Sequence, residues 1–183
     1  MVQRLITSAL LLVGMALVAG CSTGDAGTGI RIGGNLARKD TNLRIFLDGK
    51  QAQQNKLKKG LQGYSPFTIK EDVTGSPKFK YEIIDVKKFG FIKSVTMAVH
   101  QKFEADFSNL ADYTIFAAKK GDDVQMKPDV EYDLGNLGPG FKILDKKDNE
   151  VPKVEFVPGK EYLLVFTVAA DKSETIQVYF KTK

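Results

Sequence analysis

The sequence predicts an all-β protein in which short strands form a sandwich or a barrel, and three observations lead to this prediction. Beyond Ile30, apolar and polar residues alternate with a period of two, as they do in half-buried strands. Glycine, proline and other turn-forming residues interrupt the alternation at short intervals. No stretch of about a dozen residues has a convincing helical period, so strands joined by turns are the expected architecture.

The first half of the chain holds the weaker strand signals. Residues 42–47 alternate between polar and apolar side chains and are followed by Asp48-Gly49, a dipeptide that favours a tight hairpin turn. Residues 51–60 are polar, with too few apolar positions to decide between a loop and a short surface helix. A short strand is predicted at residues 67–69, and a clearer one at residues 79–83.

The second half holds the stronger signals. The strand predicted at residues 91–103 has Val95, Met97 and Val99 on one face and His100 on the opposite, solvent-facing side. This strand is long enough to contain a bulge. Residues 107–112 fit a loop or one helical turn. Strands are predicted at residues 91–103, 113–118, 141–144, 154–156, 163–169 and 175–182.

The last third contains a Pro-Gly turn, Pro158-Gly159, followed by Tyr162. This element resembles the corner between strands E and F of fibronectin type III and related immunoglobulin-like domains, where a tyrosine hydroxyl bonds to the backbone of the corner. The final hairpin, which ends near Thr182, resembles the F–G pair of the same fold. The resemblance implies an immunoglobulin-like or fibronectin-III-like β-sandwich with extra N-terminal strands. The chain departs from that family because it lacks tryptophan.

The beginning of the chain has the pattern of an export signal. Arg4 supplies a positive start, and the apolar run from Leu5 to Ala19 is shorter than the roughly 20 residues that a membrane-spanning helix needs. The run ends at Val18-Ala19-Gly20-Cys21, which contains the only cysteine of the chain. A transmembrane anchor, and a plain secretory signal with an accidental cysteine, are the alternative interpretations.

This segment resembles the lipobox of bacterial lipoprotein precursors, in which an aliphatic residue and two small residues precede a cysteine. The resemblance implies cleavage before Cys21 and lipid on its sulfur, and several acyl chains are enough for stable membrane anchoring. It also implies a location in the bacterial cell envelope. Ser22 after the cysteine favours the outer membrane in a Gram-negative host, whereas a Gram-positive host would carry the protein on the outer face of its plasma membrane.

These signals divide the chain into three parts. Residues 1–20 are the predicted signal peptide, residues 21–29 a lipidated, glycine-rich tether, and residues 30–183 a single elaborated β-sandwich domain. The candidate for an internal boundary lies near residues 75–78. With one cysteine, the chain has no internal disulfide despite its predicted oxidising compartment.

The charge of the mature chain is modestly positive. Removing the leader takes away Arg4 alone, so 26 basic residues face 22 acidic ones, a balance of +4. Attraction to anionic headgroups or glycans is one interpretation of the lysines, but they are scattered among acidic residues, which favours a role in solubility and at strand ends. Nucleic acid is not an expected partner. Eight of the lysines occur as adjacent pairs, namely Lys58-Lys59, Lys87-Lys88, Lys119-Lys120 and Lys146-Lys147.

The sequence contains no motif that indicates catalysis, a metal site or a cofactor, so an enzyme is not expected. His100 is the only histidine, and no Gly-x-Ser-x-Gly element accompanies it. Cys21 is reserved for lipid. Carboxylates that could serve a glycan hydrolase are no more numerous than on an ordinary surface; they are Glu104, Asp106, Asp129, Glu131 and Asp133.

Three segments invite functional interpretations but fit turns better. Residues 145–150 carry oxygen ligands that calcium could use, yet two lysines oppose a cation, so a polar hairpin turn is expected. Gly33-Gly34 and residues 135–140 are glycine-rich, but neither leads from a strand into a helix, as a phosphate loop requires.

The expected function is that of a lipid-anchored binding or scaffolding module of the cell envelope. Its partner would be another envelope protein or an envelope glycan, bound through an exposed sheet edge or through the loops at residues 51–64 and 135–140. The alternative is a structural or assembly subunit of an envelope machine, such as a secretion or surface-appendage complex. A hydrolase acting on glycans or lipids is the third hypothesis.

Overall fold

The structure is a computed structural model that describes residues 41–55, 66–103, 106–107, 110–120 and 123–183. Within these residues the chain forms fourteen strands and one single-turn helix, α1 (Val86–Phe89). In chain order the strands are β1 (Leu43–Leu47), β2 (Lys50–Gln51), β3 (Gln53–Gln54), β4 (Phe67–Thr68), β5 (Lys78–Ile83), β6 (Ser94–Phe103), β7 (Asp106–Phe107), β8 (Tyr113–Ala117), β9 (Lys119–Lys120), β10 (Asp123–Val124), β11 (Tyr132–Asp133), β12 (Phe141–Asp145), β13 (Glu161–Ala169) and β14 (Glu174–Lys181).

Most of these strands belong to two sheets. A four-stranded sheet has the order β11-β5-β1-β2, and an eight-stranded sheet has the order β12-β8-β6-β13-β14-β4-β3, with β7 paired to β6. The strands β9 and β10 form a separate two-stranded ribbon. The prediction of an all-β sandwich is confirmed, and the predicted extra N-terminal strands are β1 to β4, which contribute to both sheets.

The two sheets meet through aromatic side chains. Phe166 of β13 is fully buried, and its ring centroid lies 4.9 Å from the ring of Phe79 and 4.9 Å from that of Tyr81, both on β5. Such tilted contacts are favoured by aromatic quadrupoles, and each buried ring contributes about 2–3 kcal/mol through removal of apolar surface from water. The hydrophobic core therefore lies between β5 and β13.

The centre of the eight-stranded sheet is a long antiparallel hairpin with one further strand beside it. β13 pairs with β14 on one side and with β6 on the other. The pairing of β6 runs without interruption from Ser94 opposite Ala169 to Gln101 opposite Tyr162. The long strand predicted near residues 91–103 is thus present from Ser94 onward, with no bulge in this register.

The turn between β1 and β2 is formed by Asp48 and Gly49, as the sequence predicts. Both residues have positive φ, 49° and 73°, which is the requirement of a type I′ hairpin turn. The Asp48 carboxylate also accepts hydrogen bonds from the backbone N–H groups of Thr74 (2.6 Å) and Lys78 (2.9 Å). Partial burial opposes ionisation of this carboxylate, but these donors outweigh it, so the pKa of Asp48 lies below its usual value.

The turn before β13 makes the hydrogen bond expected of a tyrosine at such a corner. The backbone N–H of Val157 donates to the hydroxyl of Tyr162 at 2.7 Å, and Gly159 within the turn has φ 74°. The hydroxyl of Thr182 donates to the Val157 carbonyl at 2.7 Å, which fastens the end of the final hairpin to the same turn. The start of β13 is therefore held from both sides.

The strand predicted at residues 154–156 is wrong. These residues form no ladder with any described strand, yet Val154 and Phe156 are buried. The Phe156 ring lies 5.1 Å from that of Tyr162, so the segment is apolar because it fills the core beside the corner. The single turn of α1 was not predicted, because its four residues are too few for a helical repeat to be visible in the sequence.

We expect Asp48→Asn to lower the free energy of unfolding at pH 7 by about 1 kcal/mol, a modest amount because the carboxylate is partly exposed. Since the folded-state pKa of Asp48 is lowered, its stabilising effect is present above its unfolded-state pKa, about 3.9, and is lost as pH falls through the folded-state value. Urea unfolding at pH 7 and at pH 3 measures this difference.

The matched control is Asp148→Asn, because Asp148 also has positive φ in a hairpin turn but an exposed side chain. We expect the control to change stability by less than about 0.5 kcal/mol at either pH. A deficit of Asp48→Asn that is equally large at pH 3 and pH 7 would contradict the assigned role of the carboxylate.

Candidate functional site

The sandwich has two ends, because its longest strands run its full height. At one end Ser94 of β6 pairs with Ala169 of β13, and at the other Gln101 pairs with Tyr162. The seven residue steps of β13 between these two pairs, at about 3.3 Å each, separate the ends by about 23 Å. We call them the proximal end, residues 41–42, 84–94 and 169–174, and the distal end, residues 101–103, 110–113, 145–149 and 155–162.

The distal end contains an open cleft of about 460 Å³. Four segments build it: the end of β6, the start of β8, the hairpin turn that follows β12, and residues 155–157 before β13. The side chains that line it include both charges, an amide and a phenol, namely those of Gln101, Asp112, Tyr113, Lys146, Lys147 and Glu155. Such a lining can both donate and accept hydrogen bonds, so it fits a polar or mixed-charge ligand group.

Asp112 fixes the position where β6 and β8 meet at the cleft. Its backbone N–H donates to the Val99 carbonyl at 2.8 Å, and its carboxylate accepts from the backbone N–H of Gln101 at 2.7 Å. One carboxylate oxygen is thus used to hold the strands together. The neighbouring Tyr113 is half-buried against the core and lines the cleft with its remaining surface.

Asp145 organises the hairpin turn on the other side of the cleft. Its carboxylate accepts hydrogen bonds from the side-chain amide of Asn149 (3.2 Å), the backbone N–H of Asn149 (2.9 Å) and that of Lys147 (2.8 Å). These bonds, led by the Asn149 amide, lower the pKa of Asp145. The polar turn predicted at residues 145–150 is present, and its central carboxylate is occupied by donors of the turn itself.

The carboxylates that line the cleft are engaged in hydrogen bonds and an ion pair. A general acid needs a raised carboxyl pKa, whereas that of Asp145 is lowered. Glu155 lies 3.3 Å from the ammonium of Lys153, in an exposed ion pair. Among the described residues, no group of three or more His, Cys, Asp or Glu side chains is placed to hold a metal ion.

The prediction that His100 faces solvent is wrong, because only 5% of its surface is exposed. The outer face of the eight-stranded sheet carries a second apolar cluster of Leu163, Val165 and Tyr179, and His100 lies opposite Leu163 in the ladder. Phe107 of β7 covers this face, with its ring 5.1 Å from that of Tyr179. Both faces of the central strands are therefore buried.

Sequence reasoning also missed Gln177, which lies on the same outer face. It is 1% exposed, and neither atom of its side-chain amide has a hydrogen-bond partner within the part of the chain that the structure describes. A signal for two-sided burial existed, because Leu163-Leu164-Val165-Phe166 is apolar on both faces.

The structure does not bring the other sequence-predicted candidates into one site. Glu131 pairs with Lys78 at 3.4 Å, and the Asp133 carboxylate accepts from the Gly135 N–H at 2.9 Å, so both lie along the β5–β11 edge. Asp129 has positive φ before the same edge. Glu104, the side chain of Asp106, residues 56–65, Gly33-Gly34, Cys21 and Ser22 lie outside the described residues.

The two loops expected to bind a partner lie far apart in the strand order. Residues 135–140 follow β11, at one edge of the four-stranded sheet, whereas the described residues 51–55 include the end of β2, at its other edge, and β3, at the edge of the eight-stranded sheet. Nor is there a long open sheet edge in the described regions. Three outer strands have two residues each, and the N–H of Val151 bonds to the Ile143 carbonyl along β12.

Two further findings concern the chain as a whole. In the described regions, no helix has the length and hydrophobicity of a membrane span. Comparison of the chain with models of protein families, with curated proteins and with solved structures found no match. Functional inference therefore rests on the residues of this chain.

We expect Gln177→Met to raise the free energy of unfolding by about 1 kcal/mol, because the buried amide loses its bonds to water without gaining others. Urea unfolding measures the change. Gln53→Met, at an exposed position, is the control and should leave stability within about 0.5 kcal/mol. A clear loss of stability in Gln177→Met would mean that the amide is hydrogen-bonded in solution.

Proposed function

We propose that this chain is a lipid-anchored binding module of the bacterial cell envelope, which presents its distal cleft to another envelope component. The observation that carries the proposal is the separation of the two ends. The described chain starts at Thr41, at the proximal end, and the cleft opens about 23 Å away. A lipid on Cys21 would hold the proximal end near the membrane and leave the cleft accessible.

The surroundings of the cleft favour a protein as the partner. Phe103, Leu110 and Val157 belong to the distal end, and their exposed fractions are 61%, 71% and 46%. Exposed aromatic and aliphatic side chains beside charged groups are typical of protein interfaces, in which a few apolar anchors provide most of the affinity. A glycan would use the polar lining and could stack on Phe103, but it would leave Leu110 and Val157 in water.

The same surface would serve the alternative function, an assembly subunit of an envelope machine. In that case the partner would stay bound through detergent extraction, and the protein would migrate as part of a larger particle. A transient partner would leave a monomer after extraction. Size-exclusion chromatography of the detergent extract distinguishes these two forms of the proposal.

Anchoring predicts that the wild-type protein incorporates a fatty-acid probe and sediments with membranes, whereas Cys21→Ser does neither. In-cell labelling with an alkyne fatty acid, followed by fractionation, measures both properties. Ser22→Ala is the matched control, because it changes the neighbouring residue and keeps the sulfur. Equal labelling of wild type and Cys21→Ser would refute the lipid anchor.

Recognition through the cleft predicts position-dependent crosslinking. A photo-crosslinking amino acid in place of Tyr113 should yield a discrete adduct in intact cells, because Tyr113 lines the cleft. The control position is Val130, which is 42% exposed but lies beside the four-stranded sheet, where Asp129 bonds to Tyr81. The cleft assignment fails if Tyr113 yields no adduct or only the adducts of Val130.

A further inference from the structure

The proximal end exposes a short apolar stretch. Ile84, Val86 and Phe91 have 53%, 65% and 54% of their surface exposed. All three lie on the connection between the end of β5 and the start of β6, and we call them the apolar patch. Large apolar side chains concentrated in this way indicate a surface that contacts something other than water.

The connection that carries these side chains is firmly held. The Asp85 carboxylate caps α1 by accepting from the Lys88 N–H at 3.2 Å, and Phe89 of the same turn is 1% exposed. Gly90 has φ 78° and lies against Asp171, with no room for a Cβ atom. Burial of Phe89 thus fixes the turn, and Val86 points away from the core on a rigid support.

The proximal end carries four lysines and three acidic residues, Asp85, Asp171 and Glu174, so its charge balance is +1. Lys87, Lys88, Lys93 and Lys172 are exposed at the proximal end. Lys88 lies 3.4 Å from Asp85 and Lys93 lies 3.1 Å from Asp171, whereas no salt bridge within the described residues involves Lys87 or Lys172. The patch therefore combines apolar tips with ammonium groups that anionic lipid phosphates attract.

The first described residues of the chain lie beside this patch. Asn42 binds Asp85 twice: its side-chain amide donates to the Asp85 carbonyl at 2.8 Å and accepts from the Asp85 N–H at 2.7 Å. The N–H of Ile84 also donates to the Asn42 carbonyl at 2.8 Å. A lipid on Cys21, 20 residues before Thr41, would thus hold the patch at the membrane side of the domain.

We propose that the proximal end is a membrane-docking surface for an anionic bilayer. Ile84, Val86 and Phe91 enter the boundary between headgroups and acyl chains, and Lys87 and Lys172 contact lipid phosphates. The proposal rests on the lipid anchor at Cys21. Docking sets the orientation of the sandwich, so the strands stand on the membrane and the cleft is directed away from it.

The test uses the full chain, processed in bacteria, purified in detergent and reconstituted into vesicles of phosphatidylethanolamine and phosphatidylglycerol. Val86→Cys is labelled with an environment-sensitive fluorophore, and Val130→Cys is the control, because Val130 is exposed away from the patch. We expect nitroxide-bearing lipids to quench most of the emission at position 86 and almost none at position 130. Adding Lys87→Glu to Val86→Cys should reduce the quenching.

Each other outcome overturns the docking surface. Equal access of a water-soluble quencher to both labels would mean that the anchored domain does not touch the bilayer. A blue shift at position 86 that depends on protein concentration in detergent, without vesicles, would assign the patch to a second copy of this chain. Urea unfolding of both labelled variants confirms that they are folded.

The acyl mass of the same preparation separates failure of docking from failure of the anchor. If the protein carries acyl chains and position 86 is not quenched, docking alone is wrong. If the protein carries no acyl chains, the lipid anchor is wrong. Co-sedimentation of the protein with the same vesicles then tests whether the proximal end binds the bilayer. Binding that is weakened by salt and by Lys87→Glu supports the surface, and no binding overturns it.

Discussion

The contact of Phe166 with Phe79 and Tyr81 is the interaction on which the rest of the structure depends. It joins β13, in the middle of the larger sheet, to β5 in the smaller one. The Tyr81 hydroxyl donates to the Met126 carbonyl at 2.9 Å, so the same contact positions the segment that leads to β11. Burial raises the pKa of Tyr81 well above its usual value, which keeps the hydroxyl protonated as a donor.

The strands that surround this core keep the proximal and distal ends at a fixed distance from each other. At the distal end, the Tyr162 corner and the Asp145 turn fix the backbone around the cleft by hydrogen bonds that do not depend on a ligand. At the proximal end, Asn42 and Asp85 join the incoming chain to α1. The strands between the two ends are hydrogen-bonded to neighbours on both sides, so they form a rigid unit. The orientation of the proximal end therefore also sets the orientation of the distal end.

Local signals in the sequence predicted local structure well. The Asp48-Gly49 turn and the strands β5, β6, β13 and β14 follow from residue type and alternation, because backbone sterics and one buried face determine them. The burial of His100 and Gln177 was missed, although the apolar run at residues 163–166 indicates two buried faces, because nothing in their own strands shows that β7 covers the outer face. The cleft could not be predicted for a similar reason: the side chains of Gln101, Asp145 and Glu155 meet only through the pairing order of the strands.

The interior position of β14 has a consequence for the biogenesis of the protein. It follows every other strand in the chain, yet it lies between β13 and β4. Until residues 174–181 emerge, the β3–β4 pair has no connection to the rest of the larger sheet, and the parallel junction of β4 with β14 closes a loop of more than 100 residues. Such distant pairing folds slowly, so the larger sheet is completed only after the last strand of the chain has been synthesised.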